Sequence, residues 1–167
     1  ALSPVAPGAQ IRLLTLAVPG RKPWVIDLRA TGYDLGELGR VIEGGEVIGH
    51  NLKFDLLWLR QKCRLNPRRV FCTMTASRLL TAGSKEPNDL GAVIARHLGV
   101  RLPKDQARSD WGGMVLTADQ LAYSVNDVAH LHALRAKLDE ALGAANLAKV
   151  AALEMDLIPV VVDMEAS

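Results

Sequence analysis

Aromatic residues and cysteines are scarce in this sequence. Its 167 residues include three Trp, two Tyr, two Phe and two Cys, so a core must be built mainly from Leu, Val, Ile and Ala. Cys63 and Cys72 are too few for a disulfide framework or a zinc site, and we expect both to be reduced thiols. No apolar run reaches the ~18 residues that span a bilayer, and the first ten residues do not have the form of a signal peptide. The sequence therefore predicts a cytoplasmic protein with no membrane partner.

The net charge excludes few classes of function. Twenty basic and 18 acidic residues leave a formal net charge of +2, which neither requires nor excludes a nucleic-acid partner. An apolar content of 49% and a charged content of 23% are typical of a globular protein. The length indicates one domain with a sizeable core, so function has to be sought in local patterns.

The order of apolar segments predicts an α/β fold with a mixed sheet flanked by helices. A turn at 19–23 makes the first two predicted strands a hairpin. We expect Asn88 to be a helix N-cap, Gly99 to close that helix, Thr117 and Gln120 to form a capping box, and Pro159 to interrupt the last helix. The predicted strands are 11–18, 24–28, 46–50 and 68–73, and the predicted helices are 32–43, 51–63, 73–83, 88–100, 116–142 and 146–167.

The segment VIGHNLKFDLLWL, residues 47–59, places a carboxylate among apolar residues. Asp55 falls in or just after the first turn of a predicted helix, where it either complements the helix dipole or binds a metal ion. Asn51 has the alternative role of an N-cap. His50 is better explained as a packed histidine at a strand end than as a ligand.

The segment YSVND carries a second candidate pair. Tyr123 and Asp127 are spaced i, i+4, so both project from one helix face, while Leu121, Val125 and Val128 are expected to face the core. Tyrosine and aspartate on a partly exposed helix are common, so this motif is weak alone. With Asp55 it suggests a site in which hard oxygen ligands hold divalent ions and a phenol orients water, although two carboxylates are thin ligation for two ions.

The segments GHNLKFDLLWL and SDWGGMVLTADQLAYSVNDVAHLHAL resemble the second and third motifs of the DEDDy 3'–5' exonucleases. That family includes the proofreading domain of bacterial DNA polymerase I and ribonuclease D. Its Asn-x-x-x-Asp motif is met by Asn51 and Asp55, and its Tyr-x-x-x-Asp motif by Tyr123 and Asp127. The resemblance implies a ribonuclease H-like exonuclease fold, two divalent cations (Mg²⁺ or Mn²⁺), and hydrolysis of 3'-terminal nucleotides. It also implies that both aspartates bind metal and that Tyr123 orients the attacking water.

The loop before the third motif holds the candidate substrate contacts. Lys104 and Arg108 are placed to attract phosphates, and Trp111 either stacks on an unpaired base or plugs the core edge. With Asn51 they are the predicted substrate-binding residues. A second basic group lies around the second motif, and there a solvated face is the simpler explanation for Arg64, Arg68 and Arg69.

The family's first motif, Asp-x-Glu on a central strand, is not found upstream of Ile11. Asp27, the first acidic residue, is better explained as a strand-end or turn residue than as its substitute. We therefore expect the chain to be a fragment that lacks the first central strand and to have little activity alone. Residues 1–145 are predicted to be the exonuclease domain, and residues 146–167 resemble the helix that leads toward a family A polymerase domain.

Three functions stay open at this stage. The first is a metal-dependent 3'–5' exonuclease domain acting on single-stranded DNA, with proofreading in a DNA polymerase I-like protein as its role. The second is an RNA-trimming exonuclease similar to ribonuclease D. The third is a non-catalytic nucleic-acid-binding or structural module of a polymerase, which the missing first motif favours and which intact Asp55, Tyr123 and Asp127 oppose.

Overall fold

The computed structural model describes residues 10–102 and 118–167, and these form four short strands and seven helices. The predicted α/β character is confirmed. The strands are β1 (Leu13–Leu16), β2 (Trp24–Asp27), β3 (Glu46–Gly49) and β4 (Arg69–Cys72). The helices are α1 (Gly36–Gly44), α2 (Leu52–Cys63), α3 (Thr73–Leu80), α4 (Leu90–Leu98), α5 (Ala118–Ala129), α6 (Leu131–Ala144) and α7 (Ala148–Ala166).

The strands form two separate sheets. β1 and β2 pair as the predicted antiparallel hairpin, with Leu13 opposite Asp27 and Leu16 opposite Trp24. β3 and β4 pair in parallel and are connected through α2. The described strands thus include one antiparallel and one parallel pair, and no backbone hydrogen bonds among the described residues join β1 to β3.

The junction between β3 and α2 is a tight turn that brings the helix close to the strand. Asn51 adopts a left-handed conformation with φ of 57°, which asparagine tolerates better than most residues. A Cβ atom on Gly49 would lie 2.6 Å from Leu52 Cδ1, so glycine permits this approach. The turn fixes where the first residues of α2, including Asp55, stand relative to the end of β3.

The core lies between β4 and the helices around it, chiefly α2, α3, α4, α6 and α7. The side chains of Leu134, Leu138 and Leu142 on α6 are 0–1% exposed, and their spacing of four residues puts them on one helix face. Each such leucine contributes about 1.5–3 kcal/mol by leaving water. α6 packs against α3 and α4, and α7 packs against α2 and β4.

Two helix predictions are wrong. The predicted helix 116–142 is two helices, α5 and α6, which break at His130. The break occurs because α5 packs on β1 and β2, whereas α6 packs on α3 and α4. Pro159 does not interrupt α7, which is continuous from Ala148 to Ala166. Its ring is buried, so packing offsets the backbone hydrogen bond that proline lacks.

The N-cap of α4 also differs from the prediction. Asp89, not Asn88, caps the helix by accepting a hydrogen bond of 3.2 Å from the backbone N–H of Ala92. The Asn88 side chain is instead hydrogen-bonded to Ser77 and Thr81 of the preceding segment. Gly99 closes α4 with φ of 67°, as predicted.

Candidate active site

A cavity of about 560 Å³ brings the two predicted metal ligands together. Asp55 enters its lining from α2 and Asp127 from α5. The two residues are 72 positions apart in sequence, and the fold places their carboxylates close enough for Asp127 to raise the pKa of Asp55 by repulsion. Most of the other lining residues are apolar and come from β1, β3 and the neighbouring helices.

The surroundings of Asp55 disfavour the charged form of its carboxyl group. Burial, as the larger cause, and repulsion from Asp127 raise its pKa from 3.8 to about 7. The side chain is nevertheless exposed by its accessible surface, because it opens into the cavity while protein atoms surround it on other sides. A cation between the two carboxylates would relieve both penalties, and carboxylate oxygens are the ligands that Mg²⁺ and Mn²⁺ accept.

Asn51 and Tyr123 stand beside this site without lining the cavity. Asn51 occupies the N-cap position of α2, but its side chain makes no capping hydrogen bond and is exposed. Its alternative explanation as a side-chain cap is therefore wrong. Tyr123 is half-buried and lies one turn before Asp127 on α5. The predicted substrate role of Asn51 and the predicted water-orienting role of Tyr123 stay predictions.

The face of α5 that packs inward differs from the one expected. Gln120 is its buried residue, whereas Leu121 is 38% exposed. Val125 and Val128 are half-buried, and Val128 lines the cavity. Since Asp127 lines it too, the cavity side of α5 is mixed rather than purely polar.

His50 is a packed histidine at a strand end, as predicted, and His132 also makes a structural hydrogen bond. His50 Nε2 donates to the Asn88 carbonyl at 2.8 Å, and Nδ1 lies 2.9 Å from Thr73 Oγ1. Burial lowers the pKa of His50, which favours this neutral, doubly bonded ring. His132 Nε2 donates to the Ala17 carbonyl at 3.1 Å, and His130 precedes the first turn of α6.

Much of the basic group around the second motif is paired with α7. Lys53 contacts Glu165 at 2.6 Å, and Arg60 and Arg68 both contact Asp163, at 2.9 and 2.6 Å. These partners are about 100 positions away in sequence, so no local pattern indicated them. Arg68 is therefore held by an acidic side chain rather than only solvated, and Arg69 donates to the Gly44 carbonyl.

Asp27 is a turn residue, as predicted. Its Oδ1 accepts from the backbone N–H groups of Arg29, at 3.0 Å, and Ala30, at 3.4 Å. Arg12 lies 3.4 Å from its other oxygen. Asp27 is not among the residues that line the cavity. Both cysteines are free thiols, also as predicted.

Four predicted residues lie outside the described residues. They are the three candidate substrate contacts Lys104, Arg108 and Trp111, and the capping-box residue Thr117.

Both sheets contribute to the cavity lining. Residues of β1 and of β3 line it, and within the described part of the chain each of these strands is hydrogen-bonded to one neighbour. A strand between them would satisfy two rows of backbone groups and join the sheets. The resemblance to the exonucleases implies that a strand carrying Asp-x-Glu would lie beside Asp55 and Asp127.

Among residues 10–102 and 118–167, no group of three or more His, Cys, Asp or Glu side chains is clustered as a metal site. Asp55 and Asp127 thus have the right chemistry for divalent ions but supply only part of the ligation that two ions require. Carboxylates from the first motif would complete it.

The raised pKa of Asp55 makes a pH dependence testable. Without metal ions, native Asp55 keeps its proton between about pH 4 and pH 7, where the unfolded chain has lost it, so its contribution to the free energy of unfolding falls as pH rises. Allowing for solvent access, we take this as about 1 kcal/mol, or about 3 °C in Tm. In EDTA, the Tm of Asp55→Asn minus the Tm of the unaltered protein is therefore expected to increase by about 3 °C between pH 4 and pH 8.

Thermal unfolding at both pH values, with Asp139→Asn on the exposed surface of α6 as the control, measures this difference. Mg²⁺ at pH 8 should stabilise the unaltered protein more than Asp55→Asn. Identical pH profiles for the two proteins would show that Asp55 titrates normally.

Comparison with known proteins identifies the family. Residues 6–143 match the family model described as "3'-5' exonuclease", which covers most of the chain and both carboxylate motifs. The chain therefore belongs to the 3'–5' exonuclease domain family of DNA polymerase A type, and the predicted family is confirmed.

The relatives include both DNA and RNA enzymes by name. The chain is 36% identical over 135 residues to the DNA polymerase I of Aquifex aeolicus, covering 81% of this chain and 22% of that protein. It is 30% identical over 128 residues to the ribonuclease D of Desulfotalea psychrophila, covering 75% of this chain and 33% of that protein. The chain thus spans between about a fifth and a third of these two relatives.

Solved structures confirm the ribonuclease H-like exonuclease fold. Brucella melitensis NrnC superposes with a TM-score of 0.85 at 27% identity, covering 92% of this chain and 75% of that one. NrnC structures include one bound to pGG and one with bound Mg²⁺. Across the described residues, no helix has both the length and the apolar character needed to cross a bilayer.

Proposed function

We propose that this chain is the 3'–5' exonuclease domain of a DNA polymerase I-like protein and removes nucleotides from single-stranded DNA 3' ends with two divalent cations. The observation that carries the proposal is the meeting of Asp55 and Asp127 in one cavity. Membership of the exonuclease family supports the reaction, and the identity to a DNA polymerase I supports the substrate.

In this proposal each site residue has a distinct role. Asp55 and Asp127 would hold the divalent cations, which when bound would activate water and neutralise the charge that develops on the leaving oxygen. The Tyr123 hydroxyl orients the attacking water, since a phenol both donates and accepts hydrogen bonds. Asn51, Lys104, Arg108 and Trp111 hold the 3' end.

Ligand protonation links the site to pH. A cation binds the ionised form of Asp55, so protons compete with metal below a pKa of about 7. Metal affinity and turnover in this proposal therefore rise together as pH increases toward 8.

We also propose that α7, within residues 146–167, leads toward a polymerase domain. Leu153 and Met164 are 61% and 71% exposed on this helix, and Val150, Leu157 and Val160 are also exposed. Their spacing of three and four residues makes one apolar stripe opposite the face that packs on the core. A following domain that covers the stripe would remove this surface from water.

The competing substrate is RNA, which the ribonuclease D relatives favour. Turnover of the full-length protein on DNA and RNA oligonucleotides of matched sequence, each labelled near the 5' end, separates the two. The proposal expects faster shortening of single-stranded DNA from its 3' end. Faster shortening of RNA would assign the domain to trimming, and absence of cleavage with retained binding would assign it to a non-catalytic module.

A further inference from the structure

The two carboxylates of the site are carried by different parts of the fold. Asp55 stands on α2, which packs against β3, β4 and α7. Asp127 stands on α5, which packs against β1 and β2. The separation of the carboxylates across the cavity therefore depends on how α5 is seated on the β1–β2 hairpin.

A side-chain hydrogen bond fixes the position of α5 on β1. Thr15 Oγ1 on β1 lies 2.8 Å from Ser124 Oγ on α5, a short hydroxyl–hydroxyl contact between residues 109 positions apart. Both residues are half-buried and both line the cavity. Apolar contacts alone would tolerate sliding along the strand, whereas a hydrogen bond weakens steeply when its distance or angle changes.

Ser124 is placed to act on Asp127. The two are spaced i, i+3, so they lie on one side of α5 less than one turn apart. The first turn of α6 is joined to the residue directly after the same strand, because His132 donates to the Ala17 carbonyl at 3.1 Å. α6 is itself anchored in the core by Leu134 and Leu138. The segment formed by β1 and Ala17 is therefore held at two points, one on each side of the α5–α6 break.

We propose that Thr15 and Ser124 are positioning residues, whose hydrogen bond sets the register of α5 on β1 and thereby aims the Asp127 carboxylate at Asp55. This inference rests on the proposed function of the same site. Neither residue touches the reacting atoms. Their effect passes through the position of Asp127.

Thr15 offers a matched pair of variants. Thr15→Val keeps the branched shape and the strand preference but removes the hydroxyl, whereas Thr15→Ser keeps the hydroxyl. In the full-length protein, Thr15→Val is expected to lower kcat about tenfold, below the roughly hundredfold loss that a 1 Å misplacement causes. KM should stay within about twofold, because a displaced metal ligand alters turnover more than strand binding. Thr15→Ser should retain the kcat of the unaltered protein.

Mn²⁺ binding gives a readout that does not require cleavage. Titration of the full-length protein with Mn²⁺ should show a Kd several-fold higher for Thr15→Val and near normal for Thr15→Ser, with Tm in EDTA within about 2 °C for both. Ser124→Ala should match Thr15→Val, and the double variant should be no worse than either single one, since both remove the same bond.

The outcomes separate this inference from the function on which it rests. Full activity of Asp127→Ala would overturn the proposed function. An inactive Asp127→Ala beside a fully active Thr15→Val with normal Mn²⁺ affinity would overturn the positioning role alone. Additive losses in the double variant, or losses that follow Tm, would mean that the two residues act through general stability and would also overturn it.

Discussion

Asp127→Ala in the full-length protein is expected to abolish nucleotide removal while leaving DNA binding intact. Asp127 lines the same cavity as Asp55 and interacts with it electrostatically, and in the proposed function it would hold the cation that activates water. Losing that ion removes several kcal/mol of transition-state stabilisation, about 10³-fold or more in rate. DNA binding should stay the same or tighten slightly, because the change removes a negative charge near the phosphates.

The measurement is single-turnover cleavage of a labelled single-stranded oligonucleotide, with its Kd measured in parallel in Ca²⁺. Asp139→Ala is the matched control, since Asp139 is an exposed aspartate on α6 whose partner, Arg135, is one turn away. Unchanged turnover of Asp127→Ala would refute its metal role.

Tyr123→Phe, which keeps both carboxylates, should slow turnover with little change in Mn²⁺ affinity. Equal loss of both would mean that Tyr123 acts through structure.

The second large effect is expected from adding a strand. The 167 residues alone should not degrade a labelled single-stranded oligonucleotide in Mn²⁺ or Mg²⁺, because Asp55 and Asp127 supply only part of the ligation for two ions. A version extended upstream by about one strand (~6–10 residues) that carries Asp-x-Glu should degrade it. We expect cleavage by the extended version and no cleavage by the 167 residues alone.

The cavity, of about 560 Å³, is lined by residues of both β1 and β3, where a strand pairing with either of them would lie. The lining is mostly apolar and includes the Asp55 and Asp127 carboxylates, which suits a strand that is apolar on one side and binds cations at one end.

A strand with Asn-x-Gln in place of Asp-x-Glu is the control for this experiment. In EDTA it should raise Tm at least as much as the carboxylate version, because backbone pairing and apolar burial are the same and no further negative charge is added beside Asp55 and Asp127, yet it should not support cleavage. Cleavage by the 167 residues alone would show that no further ligands are needed. If no version cuts or binds metal, the domain is a non-catalytic module.

Local features of the site were predictable from sequence. Asn51 and Asp55, and Tyr123 and Asp127, are each one helical turn apart, and such spacing survives any packing of the helix that carries it. The hairpin of β1 and β2 and the closure of α4 at Gly99 were also predictable, because turn and cap chemistry involve neighbours in sequence.

Errors arose where distant contacts outweighed local preference. The single helix expected over 116–142 breaks at His130, since α5 and α6 pack on different elements. Pro159 stays inside α7 because its ring is buried. Lys53, Arg60 and Arg68 form a basic group in sequence, but the acidic residues of α7 pair with them from about 100 positions away.

The sequence by itself determined which side chains carry the chemistry: two aspartates and a tyrosine at helical spacing, with an asparagine at the helix start. Only the tertiary structure decided that Asp55 and Asp127 face one cavity, that burial and mutual repulsion raise the pKa of Asp55 to about 7, and that Thr15 meets Ser124. The physical reason is the distance along the sequence over which each interaction acts. Helical periodicity and turn chemistry act over a few residues, whereas the electrostatics of a site depend on groups that only the packing of separate elements brings together.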